Sequence, residues 1–343
     1  MKKLCLVVVI FLVSCTTTTP EFKLEEQQSN TENLLIGLHA IDEKVVWISG
    51  TGSTILRTLD GGNNWQPFQY EETDSLQFRD VYGLSQDEAI VLSAGEGFLS
   101  KIFRFSADEG WMQTYQMTDS LGFLDGVDFW NDTLGLAYGD AIDHLPFILK
   151  TTDGGVNWHR LVKNLPEAGQ GEGGFAASGT LIEMAANGEA WIGTGAGGNA
   201  RILHTHDFGD TWQAMATPMV KGEAAGITSV RKSNHILLIA GGNIAVTNGQ
   251  KDNIFLSMNN GISWKATTPP PLQSAIYGSA FTIVEDQKYV LVCGPSGAAV
   301  STNMGKGWTM LLENDLWSCE LLPVGTGWIV GRNGRIVKIS ADL

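Results

Sequence analysis

The stretch Thr151-Thr152-Asp153-Gly154-Gly155-Val156-Asn157-Trp158 decides the fold, because the chain repeats it. Thr58 to Trp65 carries the same frame, with Asp60 and Gly62 at the matching places, and so does Thr205 to Trp212, with Asp207 and Gly209. In Ser257 to Trp264 and Ser301 to Trp308, Asn259 and Asn303 stand where the others have Asp. Ser106-Ala107-Asp108-Glu109-Gly110-Trp111 is a shortened copy. The six tryptophans lie 46, 47, 54, 52 and 44 residues apart, and self-similarity at about 40–50 residues marks a propeller or a solenoid.

The residue types explain the turn. An Asp or Asn side chain accepts hydrogen bonds from backbone N–H groups just ahead of it and folds the chain locally. The Gly two positions on takes a positive φ that would strain other residues. Ser or Thr adds a second local bond, and Trp covers the turn with a large apolar face. Asn keeps the acceptor, so its two copies fold alike. Asp60, Asp108, Asp153, Asp207, Asn259 and Asn303 are therefore read as structural staples of hairpins, not as metal or catalytic sites.

Short apolar or alternating runs precede each staple. Residues 123–129, 133–138 and 147–151 lead into the Asp153 turn and 158–162 leave it, which makes four strands per repeat. Four-stranded units repeated in this way are the blades of an all-β propeller. Residues 34–41, 45–49 and 54–58 supply three strands ahead of Trp65, and 316–322, 327–330 and 335–340 supply three more after Trp308. The sequence thus predicts seven blades over residues 34–343. The last blade lacks its outer strand, and the alternating Phe22-Lys23-Leu24-Glu25 is placed to fill it, joining the two ends of the chain and removing a sheet edge.

With 343 residues the chain can bury a large core, and an apolar fraction of 43% argues against disorder. Its 22 Lys and Arg face 37 Asp and Glu, a net charge of −15, which argues against nucleic acid as a partner. At the N-terminus Lys2 and Lys3 precede the apolar run 4–13. Ten residues span about 15 Å as a helix, too short for a bilayer core of about 30 Å, so the run reads as a secretory signal. Residues 16–33 read as a polar tether. Cys293 and Cys319 sit in apolar strand-like runs, as buried free thiols do, in a compartment that permits pairing.

Leu12-Val13-Ser14-Cys15 resembles the lipobox of bacterial lipoproteins. The resemblance implies a signal at 1–14, a lipidated Cys15, and an exported protein anchored to a membrane of the cell envelope. The Thr-x-Asp-Gly-Gly-x-Asn-Trp hairpins resemble the Asp-box, or bacterial neuraminidase, repeats of sialidases, sortilin-type propellers and some glycoside hydrolases. They are most similar to those of the photosystem II stability/assembly-factor family and its bacterial relatives. That likeness implies a seven-bladed propeller acting as a non-catalytic protein-binding or assembly scaffold. The alternative it leaves open is a glycoside hydrolase working at the channel mouth. The chain departs from both sets of relatives. It has eight arginines and none of the Arg-Ile-Pro context of sialidases, and it lacks the positive patch of the assembly factors.

Other motifs fail on context. Gly193-x-Gly195-x-x-Gly198 fits a dinucleotide pattern but lies between two strand-like runs with no helix following, so it reads as a loop and no cofactor is implied. No Cys/His metal framework is present. Most tryptophans are accounted for, six in staples and Trp47, Trp191 and Trp328 at matching second-strand positions between blades. Trp130 and Trp317 remain, so carbohydrate binding is weakly supported. Propeller geometry puts a site over the channel, opposite the staples, on the loops entering inner strands and those joining second to third strands. The longest are 163–177 and 241–253. Asp140, Asp143, His144, Glu172, Phe175, Arg201, Tyr277 and Arg332 are the residues expected to line it. Arg79 is also placed to face the channel, and Asp125 is among the carboxylates near the inner strands.

Overall fold

The computed structural model describes residues 21–70, 76–284 and 286–341. The expected signal at 1–14, Cys15 and residues 16–20 lie outside them. Seven antiparallel sheets are described, each built around four strands in chain order except the last, whose outer strand comes from the N-terminal side. The third blade is typical, with Leu124–Phe129, Gly135–Ile142, Leu145–Thr151 and His159–Leu161 in spatial order. The first strand of each blade is innermost. These seven are Leu35–Ala40, Phe78–Gly83, Leu124–Phe129, Ile182–Ala185, Gly222–Ser233, Gly278–Val284 and Leu316–Leu321, in blades I to VII. Each touches the next, and the seventh touches the first, so they form a ring around an axis.

The ring closes on a strand from the N-terminal side. Phe22–Gln27 pairs antiparallel with Ile336–Ala341 and becomes the outer strand of blade VII. From Phe22 onward, then, the region read as a tether is built into the sheet. Asn33 continues the seam, donating from Nδ2 to Thr54 Oγ1 at 2.7 Å while its carbonyl accepts from Gly334 N at 2.9 Å.

No core fills the middle of the molecule. Burial is divided into seven apolar clusters, each shared by two adjacent blades. Trp47, Trp191 and Trp328 are fully buried in three of them, so wide second-strand side chains act as spacers between wedges. Trp130 does the same work between blades III and IV, its indole N–H donating to Glu189 O at 2.8 Å. Cys293 and Cys319 are free thiols in the cluster between blades VI and VII.

The repeated turns join third to fourth strands, on the face away from the loops that enter inner strands. In the Asp153 turn, Thr151 Oγ1 donates to Asp153 Oδ1 (2.9 Å) and accepts from Gly155 N (2.9 Å). Asp153 accepts from Asn157 N and Asn157 Nδ2 at 2.9 and 2.8 Å. Gly155 has φ +81°, and equivalent glycines in the other four full copies are also positive. The position before it is positive as well, even where it holds Phe208, Asn260 or Met304. In the short Asp108 copy Ser106 Oγ accepts from Asp108 N and Glu109 N at 3.3 and 3.4 Å. One expected loop proved to be structure: Gly195–Gly197 leaves blade IV and adds a fifth strand to blade V beside Gly222–Gly226. The whole is an all-β, seven-bladed propeller.

Candidate functional site

Each inner strand descends through three levels. Blade III runs from Asp125 through Gly126 to Val127 and Asp128, blade VI from Tyr277 through Ser279 to Phe281, and blade VII from Trp317 through Ser318 to Glu320. The upper residues line a mouth cavity of about 310 Å³ and the lower ones a throat cavity of about 310 Å³. Between them is a belt of buried hydroxyls. Ser178 Oγ, Thr180 Oγ1, Ser229 Oγ and Ser279 Oγ follow one another at 2.7 Å, and Ser318 Oγ donates to Ser178 O at 2.7 Å. All five residues are 0–1% exposed. Small residues pack here because seven strands converge.

The throat gathers Asp80, Asp128, Glu183 and Glu320 around Arg231, with His39 and Tyr82 beside them. Arg231 Nη1 donates to Glu183 Oε2 at 3.1 Å and Nε to Ser279 O at 2.7 Å. Burial pushes Asp80 and Glu320 up to about 7, although backbone N–H groups and Arg231 pull the other way. Burial, then the charge of Arg231, lowers His39 to about 4. The carboxylates are occupied by the fold itself. Asp80 accepts from Val81 N and Val127 N (both 2.8 Å), Glu320 from Ala40 N (2.7 Å), and Asp128 from Phe129 N (2.8 Å). Among the described residues no three His, Cys, Asp or Glu side chains converge as a metal site.

The mouth is different. Phe123, Phe175, Tyr277 and Trp317 form its walls, and Arg79, Asp125 and Asp140 are its charged groups. Gly173 and Gly174 let the loop backbone lie directly on the two carboxyls, since a side chain at 173 would run into Asp140 and one at 174 into Asp125. Gly174 N donates to Asp140 Oδ1 at 3.2 Å. Burial, then the adjacent Asp140 carboxylate, pushes Asp125 well above the usual carboxylate range, and burial raises Asp140 too. Asp125 is 2% exposed and its Oδ2 has no well-aligned hydrogen-bond partner. Arg79 donates from Nη1 to Ala176 O at 3.4 Å, its Nε is buried without a partner, and no described carboxylate lies within ion-pair distance of it.

Of the residues expected to line the mouth, the fold brings Asp140, Phe175 and Tyr277 to it. Glu172 and Arg201 stand behind its wall as an ion pair at 2.8 Å, with the Glu172 side chain 1% exposed. Burial opposes ionisation there, yet bonds from Arg201, Asn199 and Gly169 N hold Glu172 below its ordinary value. The pair fixes the 163–177 loop. Asp143 and His144, with φ +56° and +62°, form the tight turn between second and third strands and point outward. Arg332 sits on the rim, over the Trp317 ring at 5.1 Å and 3.3 Å from Asp315. Arg79, Phe123, Asp125 and Trp317 complete the cavity, and each is the first or second residue of an inner strand or just before one.

No protein-family model matches the sequence, and no curated protein sequence is similar to it. Solved structures share the fold. A structure described as YCF48 bound to D1 peptide is 15% identical, with a TM-score of 0.63 over 95% of this chain and 96% of that one. YCF48 from Cyanidioschyzon merolae is 16% identical, with a TM-score of 0.65 over 92% and 98%. A streptogramin B lyase is also 16% identical, with a TM-score of 0.64 over 94% and 98%. Identities this low carry the architecture and nothing finer, and what these chains have in common with the present one is the propeller.

Proposed function

We propose that the chain is a non-catalytic scaffold of the bacterial cell envelope, anchored through lipid on Cys15, that holds a segment of a partner protein against its channel-mouth face. The observation that carries this reading is the mouth itself. It is an aromatic-walled recess on a rigid ring, backed by the hydroxyl belt, with long loops around it and an arginine, Arg79, that has no acid partner among the described residues. The Asp-box-like turns and the resemblance to the assembly-factor family support a protein ligand, as does the shared fold with YCF48, a protein whose structure includes a D1 peptide. The partner's identity and any photosynthetic context do not carry over to a chain with a net charge of −15 and eight arginines.

The arrangement does not favour the hydrolase alternative. Glycosidases hold two carboxyls about 5–9.5 Å apart so that sugar or water fits between. Asp125 and Asp140 are close enough to interact through a shared proton. The test is amine crosslinking with mass spectrometry on native membranes. A partner should crosslink through the exposed Lys163, Lys221 and Lys251 of the mouth face. Crosslinks confined to Lys44 and Lys306 on the opposite face, or a protein recovered in the soluble fraction with no partner, would overturn the proposal.

A further inference from the structure

We propose that the mouth cavity is a site for a carboxylate carried on an aromatic or aliphatic group, with the carboxylate on Arg79 and the apolar group among Phe123, Phe175 and Trp317. This rests on the mouth being the binding face and names the chemistry it takes. A volume of about 310 Å³ lies at the small end of the ~300–1,000 Å³ of ligand sites, room for one residue-sized group and not for a folded segment.

Charge decides the polarity of the ligand. Arginine is always charged, and its planar fork suits a carboxylate. Every other described arginine near the mouth has an acid partner, Arg201 with Glu172 and Arg332 with Asp315; Arg79 has none. The two acids of the mouth, Asp125 and Asp140 on the adjoining blade III, cannot readily both ionise, because like charges held this close oppose it. The groups facing this pair are Arg79 from blade II, Tyr138 from the pair's own blade III, and Glu172 with Arg201 from the loop and blade behind. Tyr277 faces Arg79. With Asp125 protonated the cavity tolerates an anion, and as Asp125 and Asp140 ionise they repel it. Binding therefore weakens as pH rises.

The shared chemistry has two sources, the free C-terminus of a partner chain and a small free acid. Calorimetric titration of the purified full chain with N-acetyl-L-phenylalanine, its amide and phenylacetate distinguishes them. Both acids should bind at pH 5.5 and more weakly at pH 8, and the amide at least tenfold more weakly than its acid. Tighter binding of the acetylated amino acid assigns the chain terminus, and tighter binding of phenylacetate assigns the small acid. Arg79→Gln should abolish the preference for acid over amide, Arg79→Lys should keep part of it, and Asp140→Asn should tighten binding at pH 8 and flatten the pH dependence. Equal binding of acid and amide, or weaker acid binding in Asp140→Asn, overturns the inference. If N-acetyl-L-phenylalanine binds the more tightly yet Arg79→Gln leaves a crosslinked partner in place, the chain-terminus assignment is wrong and the scaffold stands. Acid binding with no partner on the mouth face sinks the scaffold instead.

Discussion

The outer turns and the throat use the same side chain in opposite states. At the rim, Asp60 and Asp153 are exposed and Asp207 half-buried, and all three are held below the usual carboxylate range. Bonds from Asn64 lead for Asp60; for Asp153 and Asp207 burial is the largest single influence and pushes upward, but the bonds from Asn157 and Thr151, and from Thr211 and Thr205, together outweigh it. At the axis, burial outweighs every hydrogen bond, and Asp80 and Glu320 rise to about 7. A carboxylate that folds a turn in water and one that caps backbone N–H groups in a closed channel are thus opposite liabilities. The first is lost in acid and the second costs stability in base.

The largest effect follows from the throat. A raised folded-state value means that the native protein keeps protons the unfolded chain gives up, so stability falls as pH climbs from about 4 to about 7 and levels off above. His39 opposes this, because its value of about 4 makes stability rise up to about pH 6.5. Between pH 5 and 8 these two acids alone outweigh the one imidazole by on the order of 3 kcal/mol, and Asp128 and Asp125, which burial also raises, shift stability in the same direction. Urea midpoints at the two pH values should show it. Glu320→Gln keeps an acceptor for Ala40 N and should remove about 2–3 kcal/mol of the drop. Midpoints that do not move with pH would mean the throat is wetter than its burial implies.

Arg231 sharpens the same contrast. Arg231→Met leaves Glu183 without its partner and should cost about 2–3 kcal/mol, below the usual figure for a buried pair because both side chains line a cavity rather than packed protein. The loss should be larger at pH 8 than at pH 5, and Glu183→Leu in the same chain should recover part of it. A loss equal at both pH values would point to packing by the arginine stem instead.

What could be read from the sequence follows the same division. The turns are local, so Thr, Asp, Gly and Trp at fixed offsets declare them, and the period of the tryptophans counts the blades. The closing strand shows in the alternation of Phe22 to Glu25. The mouth is not local. In blades I, II, III and VII the inner-strand register shifts by one residue near its start, between Phe78 and Asp80, Leu124 and Gly126, and Leu316 and Ser318 for example. A bulge of this kind changes which residue faces the axis, and alternation cannot report it. That is why Trp317 had no assigned place. The Glu172–Arg201 pair joins residues 29 apart through a loop with no periodicity, and its closure is a property of the fold.

The smallest effect tests whether charge matters at the rim at all. Asn259 occupies the turn position in blade V and accepts from Ser263 N at 3.0 Å, while its Nδ2 donates to Ser263 Oγ at 3.0 Å. The geometry therefore asks for an acceptor, not an anion. Asp207→Ala, which removes the acceptor for Thr211 N and Thr211 Oγ1, should cost about 1–2 kcal/mol, the scale of losing a helix cap. Asp207→Asn should stay within about 0.5 kcal/mol of the parent at pH 7, the range of ordinary surface changes. The two forms part only in acid. Asp207 titrates at about 2 when folded, so its contribution is complete above the unfolded value near 4 and disappears as pH falls through 2. Thermal melts between pH 5 and 2 should show the parent losing more stability than Asp207→Asn. If the Asn form is as weak as the Ala form at pH 7, the rim needs its charge, and the contrast between rim and axis is one of degree.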